Sequence, residues 1–169
     1  GKLLEFDGHL KRLKRSLSEL DMQEPDAIND LLEIHRTLVR DNQVDQGGVY
    51  LQVTRGVADR DFIYPENVKS TLVMFTQSKD ILGSKLVEKG MKVISIDDLR
   101  WGRRDIKTVQ LLYPSMGKMM AKSVKCDDAW MVEDGFVTEG TSNNAYIVVD
   151  NKIITRELSN DILLSLIHI

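Results

Sequence analysis

One cysteine, Cys126, is all the thiol chemistry in a sequence of 169 residues. No internal disulfide framework can form, and the sequence suits a reducing compartment, so a cytoplasmic protein is expected. Cys126 stands between Lys125 and Asp127 with no histidine close in sequence to activate it, and so reads as structural. The three histidines, His9, His35 and His168, fall at no metal-ligand spacing and there is no cysteine pair, so no metal is expected. Positive charge is not concentrated anywhere. The net charge is -3 with acids and bases interleaved, which argues against a nucleic-acid partner. No uninterrupted apolar run approaches the ~20 residues of a membrane span. No basic-then-apolar stretch opens the sequence, so no membrane partner is expected. Internal repeats and low-complexity tracts are missing too.

What remains is 42% hydrophobic and 29% charged, the make-up of a soluble globular protein. The length allows one ordinary domain, or two small ones sharing a core. Lys2 to Phe6 reads as the end of a strand. Asp7 then caps a helix to about Leu20, whose Leu10, Leu13, Leu17 and Leu20 make one apolar face. Pro25 opens a second helix to about Arg40, with Ile28, Leu31, Leu32, His35 and Leu38 facing inward. His35 sits at helical spacing among leucines, which suits a packed histidine. Val49 to Thr54 alternates as a strand with one wet side, and Thr71 to Thr76 is another strand. Gln77 to Gly90 is the candidate link between two lobes. Met91 to Ile96 is a strand, Tyr113-Pro114 ends or kinks the turn that follows, and Ser115 to Ser123 resumes as a helix with Met116, Met119 and Met120 as core filler. Two hairpins close the pattern, about Asp134-Gly135 and Asp150-Asn151. The order predicts an α+β fold with mostly antiparallel strands.

The chemistry-bearing stretch is Asp97 to Lys107, DDLRWGRRDIK, set between an apolar strand and a predicted helix. Lys107 has Ile106 and Val109 beside it, with Leu111 and Leu112 following. A lysine held against apolar surface has its ammonium form disfavoured, which frees the amine as a nucleophile. On this stretch alone Lys107 reads more readily as a solvated lysine at a helix end. A second stretch, EDGFVTEGTSNNAYIV from Glu133 to Val148, joins two short apolar strands through an acid, a glycine and small polar residues. Alone, its Glu139 reads as a turn acid, and Arg12 as a solvated helix cation. In the loop Arg55 to Asn67, Arg60 reads either as a partner of Asp59 or Asp61 or as a fork of donors for a carboxylate.

The pair R-W-x-R-x-D-I-K (Arg100 to Lys107) and V-T-E-G-[ST]-S-x-N (Val137 to Asn144) resembles the class IV, or fold type IV, pyridoxal-phosphate transaminases, with D-amino-acid transaminases the nearest match. The resemblance runs from Phe6 to about Leu163. It implies a two-lobed α+β enzyme with an N-terminal α/β-sandwich lobe over residues 1–82 and an incomplete C-terminal pseudo-barrel lobe over 83–169. It also implies pyridoxal 5'-phosphate as cofactor, an amino acid and a 2-oxo acid as substrates, D-alanine or another D-amino acid as donor, and a homodimer. Lys107 matches the Schiff-base lysine that also moves the substrate α-proton. Glu139 matches the acid that pairs with the pyridinium. Arg12, in HLKRLKRS, matches the phosphate-binding arginine of H-[LI]-x-R-L-x-x-S. Ser142 and Asn143 fall at positions that line the cofactor, and Arg60 at the arginine that holds the substrate α-carboxylate.

Three departures accompany the match. Arg60-Asp61-Phe62 stands where R-x-H is expected, so an apolar ring replaces one donor. Thr141-Ser142-Asn143-Asn144 stands where S-S-S-N is expected, so an amide replaces a hydroxyl. After Leu163 the family's P-G-I-T-R is replaced by LSLIHI, and strands bearing a G-x-Y-E turn are missing ahead of Lys2. The resemblance therefore implies an internal piece of a longer transaminase, with 164–169 outside the family pattern. A branched-chain or amine transaminase, an aminodeoxychorismate lyase of the same fold, and an inactive truncated chain are the alternatives.

Overall fold

The computed structural model describes residues 2–163 and Ser165. The divergent ending expected at 164–169 thus falls, Ser165 apart, outside the described residues. The chain divides into two compact units, Gly1–Val87 and Glu88–Ile169.

In the first unit the expected strand at Lys2 to Phe6 is not formed. Helix α1 starts at Phe6 and runs to Glu19, entered through Glu5 in a left-handed conformation (φ 49°). Asp7 is not the cap but lies in the first turn, where its charge suits the positive end of the helix dipole. Leu17 is buried on the apolar face, and Leu10, Leu13 and Leu20 are half-buried.

The single helix expected from Pro25 to Arg40 is broken in two. A 3-10 turn, Asp26–Asn29, is closed by Ile28 N–H donating to Pro25 O and Asp30 N–H donating to Ala27 O. Helix α2 then runs Leu31–Asp41. The interruption falls at Asn29-Asp30, residue types whose short polar side chains compete with the helical ladder. His35 is packed as its spacing suggests, its Nδ1 2.6 Å from Leu31 O and its ring edge-on to Phe6 with centroids 5.2 Å apart. Strands β1 (Gly47–Thr54) and β2 (Thr71–Ser78) pair antiparallel, with Tyr50 opposite Phe75 and their rings stacked at 4.7 Å. The wet side expected of β1 is not there: Val49 to Thr54 are all partly buried, and the alternation belongs to β2. A short helix, α3 (Lys85–Lys89), follows.

The second unit is built on β3 (Val93–Asp97), β4 (Asp128–Glu133) and β5 (Phe136–Gly140). β3 and β4 are parallel, joined by a crossover through helix α4 (Leu112–Ser123), and β4 and β5 are antiparallel. Asp134 and Gly135 turn the hairpin at φ 51° and 80°, the positive-φ pair that matches strand twist. Strands β6 (Tyr146–Val149) and β7 (Lys152–Thr155) form a separate two-stranded hairpin about Asp150-Asn151. Among the described residues these sheets close no barrel.

Helix α4 overturns two expectations. Pro114 neither ends nor kinks it, because it occupies the first turn, where a backbone N–H has no intrahelical partner to lose. Its methionines are not core filler: Met116, Met119 and Met120 are about half exposed or more, while Gly117 and Ala121 are buried. Small residues let the helix lie close on the sheet, over a core of Ile96, Ala121, Ala129 and Met131 edged by Ile94, Tyr113 and Cys126.

Candidate active site

The loop after β3 turns on one buried carboxylate. Asp98 N–H donates to Val132 O at 2.8 Å, fixing the chain to β4. Its Oδ1 accepts from Arg100 Nε at 2.9 Å, and its Oδ2 accepts from Arg100 Nη2 and from Thr138 Oγ1, each at 2.6 Å. Burial pushes the Asp98 carboxyl up, but the hydrogen bonds and charge of Arg100, with the Thr138 hydroxyl, outweigh it and hold it below the ordinary carboxylate range. Arg100 spans two acids: the nitrogen left over, Nη1, donates to Oε1 of Glu139. Burial lowers its guanidinium, and the two carboxylates more than reverse that.

Arg104, 6% exposed, donates from Nη1 and Nη2 to Glu133 at 2.7 and 2.8 Å, and its Nη1 lies 3.5 Å from Asp98 Oδ2. Its own N–H donates to Asn160 O at 2.9 Å. Asp105 accepts from Arg103 Nε at 3.0 Å, and Ile106 is buried. Lys107 follows as an exposed residue. The apolar surface expected to press on it is missing on one side, because Val109, Leu111 and Leu112 are 65%, 58% and 77% exposed. Of its apolar neighbours only Ile106 is buried, and on α4 the buried residues are Gly117 and Ala121.

Glu139 lies near the end of β5 and is 5% exposed. Besides Arg100 on Oε1, its Oε2 accepts from Asn144 Nδ2 and from Leu163 N–H, each at 3.2 Å. It is therefore a buried carboxylate held by three donors from three separate segments, not a turn acid. A Cβ at Gly140 would stand 2.2 Å from Asn143 Oδ1, so a larger residue there would displace the Asn143 side chain. Asn143 folds back to accept Gly140 N–H on its carbonyl at 2.7 Å and donates from Nδ2 to Asp128 Oδ2 at 2.8 Å. Thr141 Oγ1 and Ala129 N–H donate to the same carboxylate. Ser142 is exposed and accepts from Lys118 Nζ at 3.1 Å.

Arg12 and Arg60 belong to the first unit. Arg12 is half-buried on α1, its Nη2 3.2 Å from His9 Nδ1, and burial lowers its guanidinium from the ordinary value. Arg60 is exposed, with its guanidinium 5.5 Å from the Phe62 ring. Asp61 spends its carboxylate on the Phe62 backbone N–H at 2.6 Å. The other loop arginine, Arg55, donates to Leu20 O and Asp21 O beyond the end of α1 and lies 3.6 Å over the Tyr64 ring.

The structure thus joins Glu139 to Arg100 and Asn144, and through Arg100 to Asp98, none of which the sequence had marked as site residues. Arg100 was legible as the first residue of R-W-x-R-x-D-I-K. Asn144 was legible only as the last residue of V-T-E-G-[ST]-S-x-N, with no role attached, and Asp98 carried no pattern beyond being polar.

Residues 1–167 match the family described as Amino-transferase class IV. The chain is 36% identical over 164 residues to a D-alanine aminotransferase of Staphylococcus aureus (strain N315), covering 96% of this chain and 58% of that one. It therefore spans under two thirds of that relative's length. Among solved structures it superposes on a putative 4-amino-4-deoxychorismate lyase of Legionella pneumophila with a TM-score of 0.79 at 23% identity, covering 95% of this chain and 59% of that one. A branched-chain amino acid aminotransferase of Thermobaculum terrenum, in its PLP form, gives a TM-score of 0.72 at 18% identity, covering 95% and 54%. The mixed helix-and-sheet architecture expected from the motifs is the one these structures have. On the family match and this identity, the chain belongs to the class IV amino-transferase family.

Proposed function

We propose that this chain carries the lysine and pyridine-binding parts of a pyridoxal-phosphate-dependent transaminase, which moves an amino group from an amino acid to a 2-oxo acid. The observation that carries the reading is Glu139. An ionised carboxylate offers about four lone-pair positions, and Arg100, Asn144 and Leu163 take three donor contacts. A further acceptor position remains, and a protonated pyridine nitrogen is a single N–H donor of matching charge. The residues present therefore fit the cofactor. When bound, it supplies the sink for the electron pair left on the substrate α-carbon.

Glu139 keeps the ring nitrogen protonated by hydrogen bonding and charge, in a site where burial strengthens both. Lys107, an exposed residue, would hold the cofactor through its side-chain amine, and its Nζ would take the substrate α-proton and return it. By the resemblance, Arg12 holds the phosphate, Ser142 and Asn143 line the cofactor, and Arg60 grips the substrate α-carboxylate. The donor is D-alanine or another D-amino acid, a reading supported by the name of the Staphylococcus aureus relative. The protein acts in the cytoplasm as a homodimer.

One observation favours a second reading of the substrate. Phe62, next but one to Arg60, is 91% exposed, so the loop offers an apolar ring where a polar donor is expected for D-amino acids. That suits an apolar side chain, as in a branched-chain substrate. Purified protein is incubated with pyridoxal phosphate and assayed side by side on D-alanine, L-leucine and aminodeoxychorismate. A visible band of lysine-bound cofactor, lost in Lys107→Ala, with turnover of D-alanine supports the first reading. Preference for L-leucine moves the substrate to the branched-chain class. Absence of the band in the unaltered protein overturns the function.

A further inference from the structure

The acids and bases behind Glu139 do not balance. Arg104 is spent bidentately on Glu133. Asp98 and Glu139, both almost wholly buried, share the guanidinium of Arg100 through hydrogen bonds, while Arg104 Nη1 lies 3.5 Å from Asp98 Oδ2, so that three acids, Asp98, Glu133 and Glu139, face two arginines. Two nitrogens of Arg100, Nε and Nη2, go to Asp98, and only Nη1 goes to Glu139. Among the other charged groups near this cluster, Asp161 is paired with Arg156 at 3.0 Å. Three neighbouring carboxylates with two arginines among them favour a further cation at whichever buried carboxylate has an acceptor position to spare. Asp98 has its positions filled by Arg100, Thr138 and the Arg100 backbone N–H. Glu139 has one open.

We propose that Asp98 is a positioning residue: by drawing Arg100 towards itself, it leaves Glu139 with surplus negative charge and so selects the protonated form of a ring nitrogen placed there. Asp98 acts through Arg100 and donates nothing to the cofactor itself. The inference rests on the proposed cofactor and deepens it, by making the charge at the pyridine nitrogen the property of a three-residue relay, Asp98–Arg100–Glu139, in place of one acid. A residue that only held the loop in shape would set stability and leave the ring's proton alone.

The test is a spectroscopic pH titration of the bound cofactor, read without turnover. With Asp98→Asn the Arg100 charge is no longer shared, so Glu139 attracts the ring cation less. The ring should lose its proton about one pH unit lower than in the unaltered protein, the size of shift a neighbouring charge produces. Arg100→Gln removes the cation and should move the same titration the opposite way, while Arg100→Lys, which keeps the charge, should stay nearer the unaltered value. If Asp98→Asn does not fold, the basic shift of Arg100→Gln carries the test. A titration unchanged in both Asp98→Asn and Arg100→Gln, or shifted in one direction by both, overturns the relay while leaving the function standing. Failure of the unaltered protein to bind pyridoxal phosphate overturns both.

Discussion

Asn143 and Asp128 are bound across 2.8 Å, amide nitrogen to carboxylate oxygen, and this contact decides which asparagine faces Glu139. Asp128, at the start of β4, is 2% exposed and also accepts from Thr141 Oγ1 and Ala129 N–H, with Lys118 Nζ 3.9 Å away. It pulls the loop after β5 down onto the sheet. With Asn143 committed there, its neighbour Asn144 reaches Glu139 instead.

Asp128→Ala should therefore cost more than a surface acid would. It leaves the buried donors of Thr141 and Ala129, and the exposed Asn143 amide, without their acceptor, a loss of about 3 kcal/mol by analogy with other broken buried networks. Urea unfolding checks it. A change within ~0.5 kcal/mol, the range of a surface substitution, would show that the loop holds without this carboxylate.

Asp98 and Asp128 should make the fold acid-sensitive. Burial raises both carboxyls, but hydrogen bonds outweigh it, from Arg100 and Thr138 in one case and from Thr141, Ala129 and Asn143 in the other. Their folded values lie below the ordinary 3.8. A depressed folded value adds stability that is fully present above the unfolded value and is lost as pH falls through the folded one. The urea midpoint should hold steady down to about pH 4 and then drop. Asp128→Asn should shrink that drop. An equally steep acid loss in the variant would place the sensitivity elsewhere.

Glu139→Gln keeps the shape of the acid and removes its charge. Cofactor should still attach to Lys107, while the amino-transfer half-reaction slows roughly a hundredfold or more, since each ~1.4 kcal/mol of lost transition-state stabilisation costs tenfold. Lys107→Ala should instead abolish covalent attachment. Single-turnover absorbance of both variants with an amino donor separates the roles, and near-normal rates in Glu139→Gln would reduce it to a structural acid.

Gly117 tests the close approach of α4 to the sheet. An added Cβ would stand 2.7 Å from Ile96 Cδ1 and 3.3 Å from Thr141 Cγ2. Alanine gains about 1 kcal/mol of helix propensity over glycine, yet crowding a packed core costs about 1–3 kcal/mol. Gly117→Ala should be neutral to destabilising by about 2 kcal/mol on that balance. Adding Ile96→Val removes the methyl it strikes, so the double variant should be more stable than the two single costs added together. Simple additivity in thermal unfolding would mean the two side chains never meet.

The sequence by itself determined the elements whose signals are local. Asp134-Gly135 and Asp150-Asn151 specify their hairpins because few residue pairs tolerate positive φ at both positions. The leucines of α1 specify its buried face, and the spacing of Lys107 and Glu139 in their two motifs carries the family. Tertiary structure decided what depends on residues far apart in the chain. Whether Met116, Met119 and Met120 are buried depends on how near α4 comes to the sheet, and Gly117 and Ala121 set that distance. Whether Lys2 to Phe6 becomes a strand depends on a partner strand, and among the described residues none pairs with it, so Phe6 opens α1 instead. The acid at Glu139 was legible, but its charge environment was not. Asp98 looks like any loop polar residue, and Asn144 is only a motif position, until β3, β5 and the segment at Leu163 converge, and only then does a buried carboxylate acquire its three donors.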